Sequence, residues 1–508
     1  MAEKKRFAIN VVMNWVAMAV GMVVPFFLSP FVVRHLGSTA YGVWILAVST
    51  VSYLNLLDLG LRSAIVRFVS KGAAEGEYDE AQKTIGAALW FRVLISAAIA
   101  VLSVALAVAF PHLFKVPYDL QRAAQITVML CALGVAVTLL SGVFGAVLSG
   151  IHRFDISSSI AVVQTLARAG GVLVILRSGR GLVPLAVWEF VVIAVTGVAT
   201  CLAALKLFPP CRIRIRKPDV EALRKIWSYS FKTFIIIVAV QIVYYTDNMV
   251  VGHFVSVDMA AFYAIAGSLA MYTGQVSSAM GATFIPLASK LDASGQSGDL
   301  QKLLVRGTQA ALGLMLPIAV VLLLRGKTFI GLWMGPKYSD ISGTVLQILL
   351  ITQFFTIANS TAGQIAYGVD KHKSVATWSV VEAALNLVLS IVLVKTIGLY
   401  GVAWGTSIAQ VIVHMIFWPR YVKRELKVPV RTYLLEGWAK VVLCSLPFAI
   451  VCYLANRYWH PRSLQAFFLE IFITLPVYLL SVALVFRGEA TTLYRNWQAS
   501  RVAKAHIA

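Results

Sequence analysis

Residues 41–71 read YGVWILAVSTVSYLNLLDLGLRSAIVRFVSK: about seventeen uncharged, mostly apolar residues, then Asp58, Arg62 and Arg67, all before the first hydrophilic loop. At about 1.5 Å of rise per residue, a helix of this length crosses a hydrocarbon core of roughly 30 Å. The pattern predicts one continuous span over 41–69 with an acid and an arginine at membrane depth. Charge placed there costs about 2.5–3.5 kcal/mol per group on insertion scales, and by default it faces a bundle interior or a hydrated cavity.

Working outward, the 508-residue chain is 59% hydrophobic and only 13% charged, which makes it a polytopic membrane protein. A net charge of +22 raises nucleic acid as a partner. Placement excludes it, because the basic residues are scattered through short loops and no soluble basic domain carries them. The five cysteines show neither a CxxC pair nor metal-ligand spacing and read as small apolar fillers. Lys4-Lys5-Arg6 imitates a secretory signal, but the apolar run continues from Phe7 to Val33. That is too long for a signal core, so it reads as an uncleaved first span.

Runs of about 18 or more apolar residues predict an all-α integral membrane protein of fourteen transmembrane helices. They lie near 7–33, 41–69, 85–110, 122–149, 158–177, 183–208, 226–251, 259–289, 303–324, 343–368, 374–395, 398–419, 437–456 and 464–486. The longest connections fall at Cys211 to Lys225, Arg325 to Ser342 and Arg420 to Glu436. Lys and Arg in the loops on the N-terminal side outnumber those on the other side, so the positive-inside rule places both termini in the cytoplasm.

An internal repeat organises these spans. Val32-Val33-Arg34-His35 recurs as Val250-Val251-Gly252-His253 at an offset of 218, and Ser70-Lys71, Gly76 and Gln82-Lys83 recur as Ser289-Lys290, Gly295 and Gln301-Lys302 at 219. Gly150 recurs as Gly368, and Val162-Val163-Gln164 as Val380-Val381-Glu382, at 218. The offset covers six spans, an even number, so the two copies enter the membrane in the same direction. The expectation is two parallel six-helix lobes, 1–208 and 226–420, related by a pseudo-two-fold axis along the membrane normal and joined by a basic cytoplasmic linker at 209–225. Two further helices and a tail occupy 421–508. Such a body suits alternating access around a central cavity.

No enzymatic signature stands. Arg325-Gly326-Lys327-Thr328 ends like a phosphate-binding loop, but Val321 occupies the place of its earlier glycine and no preceding strand is available. What remains is charge inside the spans. Arg62, Arg92 and Arg168 share a depth roughly 10–15 Å from the cytoplasmic surface, counted along their helices. Guanidinium stays charged when buried and its fork matches phosphate oxygens, so the three define a candidate cationic pocket. The alternatives are snorkelling to headgroups and internal pairing, with Asp58 and Arg62 four residues apart on one face. Arg92 and Arg168 have no acid three or four residues away. Glu382 and Asn386 lie one turn apart on the span whose first-copy counterpart carries Gln164 and Arg168, so Gln164, Glu382 and Asn386 are candidates for lining the lobe interface or a packed polar pair. Asp58 and Asp247 are candidate ion-coupling acids, though Asp247, near the outer end of its span, reads first as interfacial. Pro25, Pro30, Pro286 and Pro317 are candidate hinges.

PFFLSPFVVRHLGSTAYGVW at 25–44 and LNLLDLGLRSAIVRFVSKG at 54–72, within two six-helix lobes plus two helices, resemble the polysaccharide flippases of the multidrug/oligosaccharidyl-lipid/polysaccharide exporter superfamily, the Wzx-like or polysaccharide transporter branch. The resemblance covers about residues 7–486 and rests on the turn at Arg34 to Gly42 and on Asp58-Leu59-Gly60. It implies translocation of an undecaprenyl-pyrophosphate-linked oligosaccharide to the outer leaflet of a bacterial inner membrane, with N-lobe cations engaging the pyrophosphate. Membrane lipids are expected as further partners and a monomer as the functional unit, with no enzymatic activity, cofactor or metal; energy coupling is left open, a proton or a sodium ion being the candidates. The chain departs from related branches: residues 7–33 contain no acid, and the first arginine after the tail is Arg34. The alternative functions are a cation-coupled exporter of small amphiphiles and a membrane glycosyltransferase or polymerase. The latter lacks a large loop bearing catalytic carboxylates.

Overall fold

The computed structural model describes residues 2–58, 60–210, 220–281 and 283–488, and within them all side chains except those of 2–8, 220–233, 236 and 276–280. The side chains of Lys4-Lys5-Arg6 and Lys232, most of the basic linker with Cys211, and the tail after 488 therefore lie outside the described residues. The described elements are helical throughout, as a bilayer requires: without water to satisfy peptide groups, only internally bonded helices or closed barrels can cross it. Eleven helices among the described residues are long and apolar enough to span a membrane.

In chain order the helices are α1 (Ala2–Ser52), α2 (Leu61–Glu75), α3 (Asp79–Leu113), α4 (Tyr118–Gly150), α5 (Phe154–Arg177) and α6 (Leu182–Leu207). Then follow α7 (Val220–Phe254), α8 (Val257–Gly281), α9 (Phe284–Ala293), α10 (Ser297–Trp333), α11 (Pro336–Gly368), α12 (Lys373–Ile397) and α13 (Leu399–Glu425). A short α14 (Val430–Thr432) leads through a π-helical turn (Tyr433–Ala439) into α15 (Lys440–Tyr458), and α16 (Leu464–Val485) follows.

Three expectations are corrected. The span predicted over 41–69 is not continuous: it passes through a 3-10 segment (Tyr53–Asp58) and left-handed Gly60 before α2 begins. The span predicted over 259–289 divides into α8 and α9, and Pro286, offered as a hinge, lies in the first turn of α9, where its missing N–H costs nothing. The loop predicted from Arg325 to Ser342 is almost all helix, α10 ending at Trp333 and α11 beginning at Pro336. The prolines of α1 do not interrupt it; the break comes at Gly37, whose φ of 77° suits a residue without Cβ.

Some helix ends and turns recur at the spacing of the sequence repeat. The bounds of α4, Tyr118 and Gly150, reappear in α11 as Pro336 and Gly368 at the same offset of 218. Positive-φ residues recur at matching places: Gly76 with Gly295, His152 with Asp370, and Gly179 with Gly398.

Packing divides the chain into two units, residues 1–264 with 379–405 and residues 265–378 with 406–508, a partition different from the duplicated segments. In the first, α2, α3, α4 and α6 share a core that includes Ile65, Ile85, Leu89, Val143, Leu148 and Ala204. Lipid tails are as apolar as leucine, so helix association depends on close fit and polar links. Gly42 accordingly lies against the backbone of Val257, and Gly252 beneath Leu46. In the second unit, α10, α11, α13 and the π turn surround Tyr433, whose hydroxyl donates to the Ala358 carbonyl and to Asn359 Oδ1, each at 3.0 Å. There too Arg325 of α10 forms a buried ion pair with Glu470 of α16 and donates to the Trp459 carbonyl at 2.9 Å.

Candidate functional site

The break after Ser52 is the local feature that builds the site. A 3-10 turn has poorer hydrogen-bond geometry than an α-helix and, inside a longer helix, often marks a hinge. Side chains supply the missing bonds: Asn55 Nδ2 and Gln241 Nε2 both donate to the Ser52 carbonyl, at 3.1 and 2.6 Å, and Ser63 Oγ donates to the Gly60 carbonyl at 2.8 Å. Asp58 closes this segment. Its carboxylate accepts from Nη2 of Arg92 on α3, so the alternative pairing with Arg62 is not the one formed.

Arg92 is almost completely buried, and its Nη1 also donates to the Leu139 carbonyl of α4 at 2.5 Å. Gly142 makes room for it: a Cβ there would stand 3.3 Å from Nη1. Arg62, in the first turn of α2, is exposed and close enough for its charge to act on Arg92. The cluster thus holds one carboxylate and two guanidinium groups. Arg62 also sits at a helix N-terminus, where unpaired N–H groups add positive potential.

Arg168 of α5 lies elsewhere in the same unit and is held by Glu189 of α6, with Nε and Nη2 donating to the two carboxylate oxygens at 2.7 and 2.5 Å. The surrounding contact is tight. Trp188 Nε1 donates to the Ala167 carbonyl at 3.1 Å, and its ring occupies the space that a side chain at Gly171 would need. Gln164 is half-buried one turn before Arg168. Of the three arginines, then, Arg62 is the one without a carboxylate bonded to it among the described residues, while Arg92 and Arg168 each find an acid on a neighbouring element.

Asp247 is buried, accepting from Tyr263 Oη at 2.7 Å. Beside it Tyr53 bonds to Thr246, and Asn248 donates to Ser49 Oγ at 3.2 Å, so α7 meets the break segment through a polar layer. Glu382 is half-buried and Asn386 fully buried on α12. Among the described residues no group of His, Cys, Asp or Glu could hold a metal ion.

Glu189, Arg325 and Glu470 escaped the sequence reading. A signal existed for Glu189: it and Arg168 lie nearly equidistant from the α5–α6 turn, so an antiparallel hairpin brings them to one depth. Arg325 was assigned to a loop, which hid its need for a partner.

Comparison with known proteins bears on this arrangement. A family model described as "Polysaccharide biosynthesis protein" matches residues 7–292, and a second, described as "MatE", matches 233–392. "Uncharacterized membrane protein EpsK" of Bacillus subtilis is 26% identical over 438 residues, covering 82% of this chain and 83% of that protein. "Probable low-salt glycan biosynthesis flippase Agl15" of Haloferax volcanii is 21% identical over 470 residues, covering 92% and 93%. Among solved structures, "Lipid II flippase MurJ, inward closed conformation" superposes with a TM-score of 0.74 at 17% identity, covering 95% of this chain and 99% of that one. At that identity the likeness is one of fold.

Proposed function

The chain belongs to the polysaccharide biosynthesis protein family, and from that premise we propose that it is a flippase that carries a lipid-linked oligosaccharide across the membrane. The observation that carries the proposal is Arg62: an exposed guanidinium just past the 3-10 segment Tyr53–Asp58, backed by Arg92 and by the positive end of α2. A polyprenyl pyrophosphate is the lipid anion that suits such a site, because two phosphates offer several oxygens to guanidinium forks in a water-poor setting. The cargo we propose is an undecaprenyl-pyrophosphate-linked oligosaccharide, taken from the cytoplasmic leaflet of a bacterial inner membrane with both termini inside.

Fourteen crossings in two parallel lobes are part of the proposal. The break at Gly37 divides the first apolar helix, α7 and α8 have membrane-crossing length, and the recurrence of helix ends and positive-φ turns supports a duplicated body. In this scheme a monomer suffices. The polar groups Gln164, Arg168 and Glu382 line the path for sugar and headgroup, fully buried Asn386 belongs to the packed interior, and no chemical step is required. The match of residues 233–392 to a second family favours one alternative, a cation-coupled exporter, in which buried Asp247 is the coupling acid for a proton or sodium ion.

Reconstituted vesicles test the proposal. A fluorescent lipid-linked sugar should become accessible to an impermeant quencher faster with the protein than without it, and Arg62→Ala should slow this at least about tenfold, the loss expected for a charge-assisted bond. Equal rates in empty vesicles would reject the flippase, and an unaffected Arg62→Ala would reject the site.

A further inference from the structure

We propose that Asp58 is a built-in substitute for the cargo's phosphate: it holds Arg92 while the site is empty and is displaced from it when a polyprenyl pyrophosphate headgroup binds. This rests on the reading of Arg62 and its surroundings as the headgroup site. Carboxylate and phosphate oxygens accept the same bonds from guanidinium, so either can occupy Arg92.

Four observations give the exchange its direction. Within the pair the Asp58 side chain is 24% exposed and that of Arg92 3%, so an anion arriving from the accessible side meets the acid first. Asp58 ends a 3-10 turn, whose hydrogen bonds are poorer than those of an α-helix, and Gly60 two residues on is in the left-handed conformation. Arg92, by contrast, is fixed by the Leu139 carbonyl and by the gap at Gly142, so it stays when the acid leaves. Its Nε is buried without a hydrogen-bond partner among the described residues, which leaves a second donor for another phosphate oxygen.

Charge balance follows the same course. With Asp58 in place the cluster of Asp58, Arg62 and Arg92 carries one net positive charge. Once the carboxylate turns away, two guanidinium groups face a headgroup with at least two negative charges. Because acid and cargo need the same guanidinium, the return of Asp58 hastens release. The structure therefore assigns Asp58 to product release as well as to packing.

The test measures binding of farnesyl pyrophosphate to the full-length protein in nanodiscs by calorimetry, with farnesol and inorganic pyrophosphate as controls. Asp58→Asn should bind farnesyl pyrophosphate about tenfold or more tightly than wild type, the value of one charge-assisted bond no longer contested. Arg92→Gln should bind weakly, and Asp58→Asn with Arg92→Gln no better than Arg92→Gln alone. Inorganic pyrophosphate should bind far more weakly than the prenylated form, and equal binding would overturn the assignment to a lipid headgroup. If wild type binds and needs Arg62, but Asp58→Asn binds equally or less well, the substitution idea fails while the site stands. If wild type does not bind, or Arg62→Ala binds as wild type does, the underlying site reading fails. Should Asp58→Asn not fold, the wild-type chain gives the answer: labelling of Asp58 by a water-soluble carbodiimide, read by mass spectrometry, should rise when farnesyl pyrophosphate is bound. Unchanged or reduced labelling overturns the proposal.

Discussion

Arg325 and Glu470 make the sharpest energetic prediction. Their side chains are 2% and 3% exposed, so the pair is out of water on all sides. Removing one partner of a buried pair costs about 3–5 kcal/mol, whereas replacing both by apolar residues of similar volume is often neutral or stabilising by about 1–4 kcal/mol. Here both single variants should fall near the lower end of that range, for different reasons. Glu470→Leu leaves a guanidinium that cannot give up its proton, and its remaining partners are the Trp459 carbonyl at 2.9 Å and the Phe467 ring at 5.4 Å. A cation over a ring contributes about 0.5–2 kcal/mol, so these contacts offset part of the loss and the net cost should be about 3 kcal/mol. Arg325→Met leaves an acid that can take up a proton and become neutral, so its cost should also lie near the lower end of that range. The double variant Arg325→Met with Glu470→Leu should return to within about 1 kcal/mol of wild type, or exceed it. Reversible unfolding in mixed detergent micelles, followed by tryptophan fluorescence, measures all four proteins. Single variants within about 0.5 kcal/mol of wild type, or a double variant whose loss equals the sum of the singles, would refute the reasoning.

Four further outcomes follow from the geometry. Thr39 Oγ1 donates to Asp258 Oδ1 at 2.7 Å beside the close approach of Gly42 to Val257, so a cysteine pair at positions 39 and 258 should cross-link readily and lose that reactivity when Gly42→Leu is added; undiminished cross-linking would show that the approach is not held by Gly42. Tyr433→Phe removes the donor to Ala358 and Asn359 and should lower unfolding stability by about 1–3 kcal/mol, against no change if other groups satisfy those acceptors. Glu189→Gln should cost no more than about 1 kcal/mol, since Arg168 is 41% exposed. Arg168→Ala should slow translocation more than Glu189→Gln does, and equal slowing would mark the pair as purely structural.

The helical membrane character could be read directly, because long apolar windows have few alternatives in a bilayer, and Gly76 and Gly295, paired in the sequence, both take positive φ. The break at Tyr53–Asp58 could not: Leu54, Leu56 and Leu57 continue the apolar run, and only Gly60 hinted at an interruption. The arginines were found by depth, but their partners were sought three or four residues away on the same helix. In a bundle the nearer neighbour is often on the next helix, and Asp58 with Arg92, or Arg168 with Glu189, meet across a hairpin. Charge alone cannot separate a ligand site from a satisfied pair; the burial of Arg92 and the exposure of Arg62 are what bear on it.

The most direct measurement is a structure determined by electron cryomicroscopy in nanodiscs containing a polyprenyl-pyrophosphate-linked oligosaccharide. The account predicts pyrophosphate density within hydrogen-bond reach of Arg62 and Arg92, beside the 3-10 turn that ends at Asp58. A headgroup bound away from both residues, with Arg62 turned out among acyl chains, would contradict it.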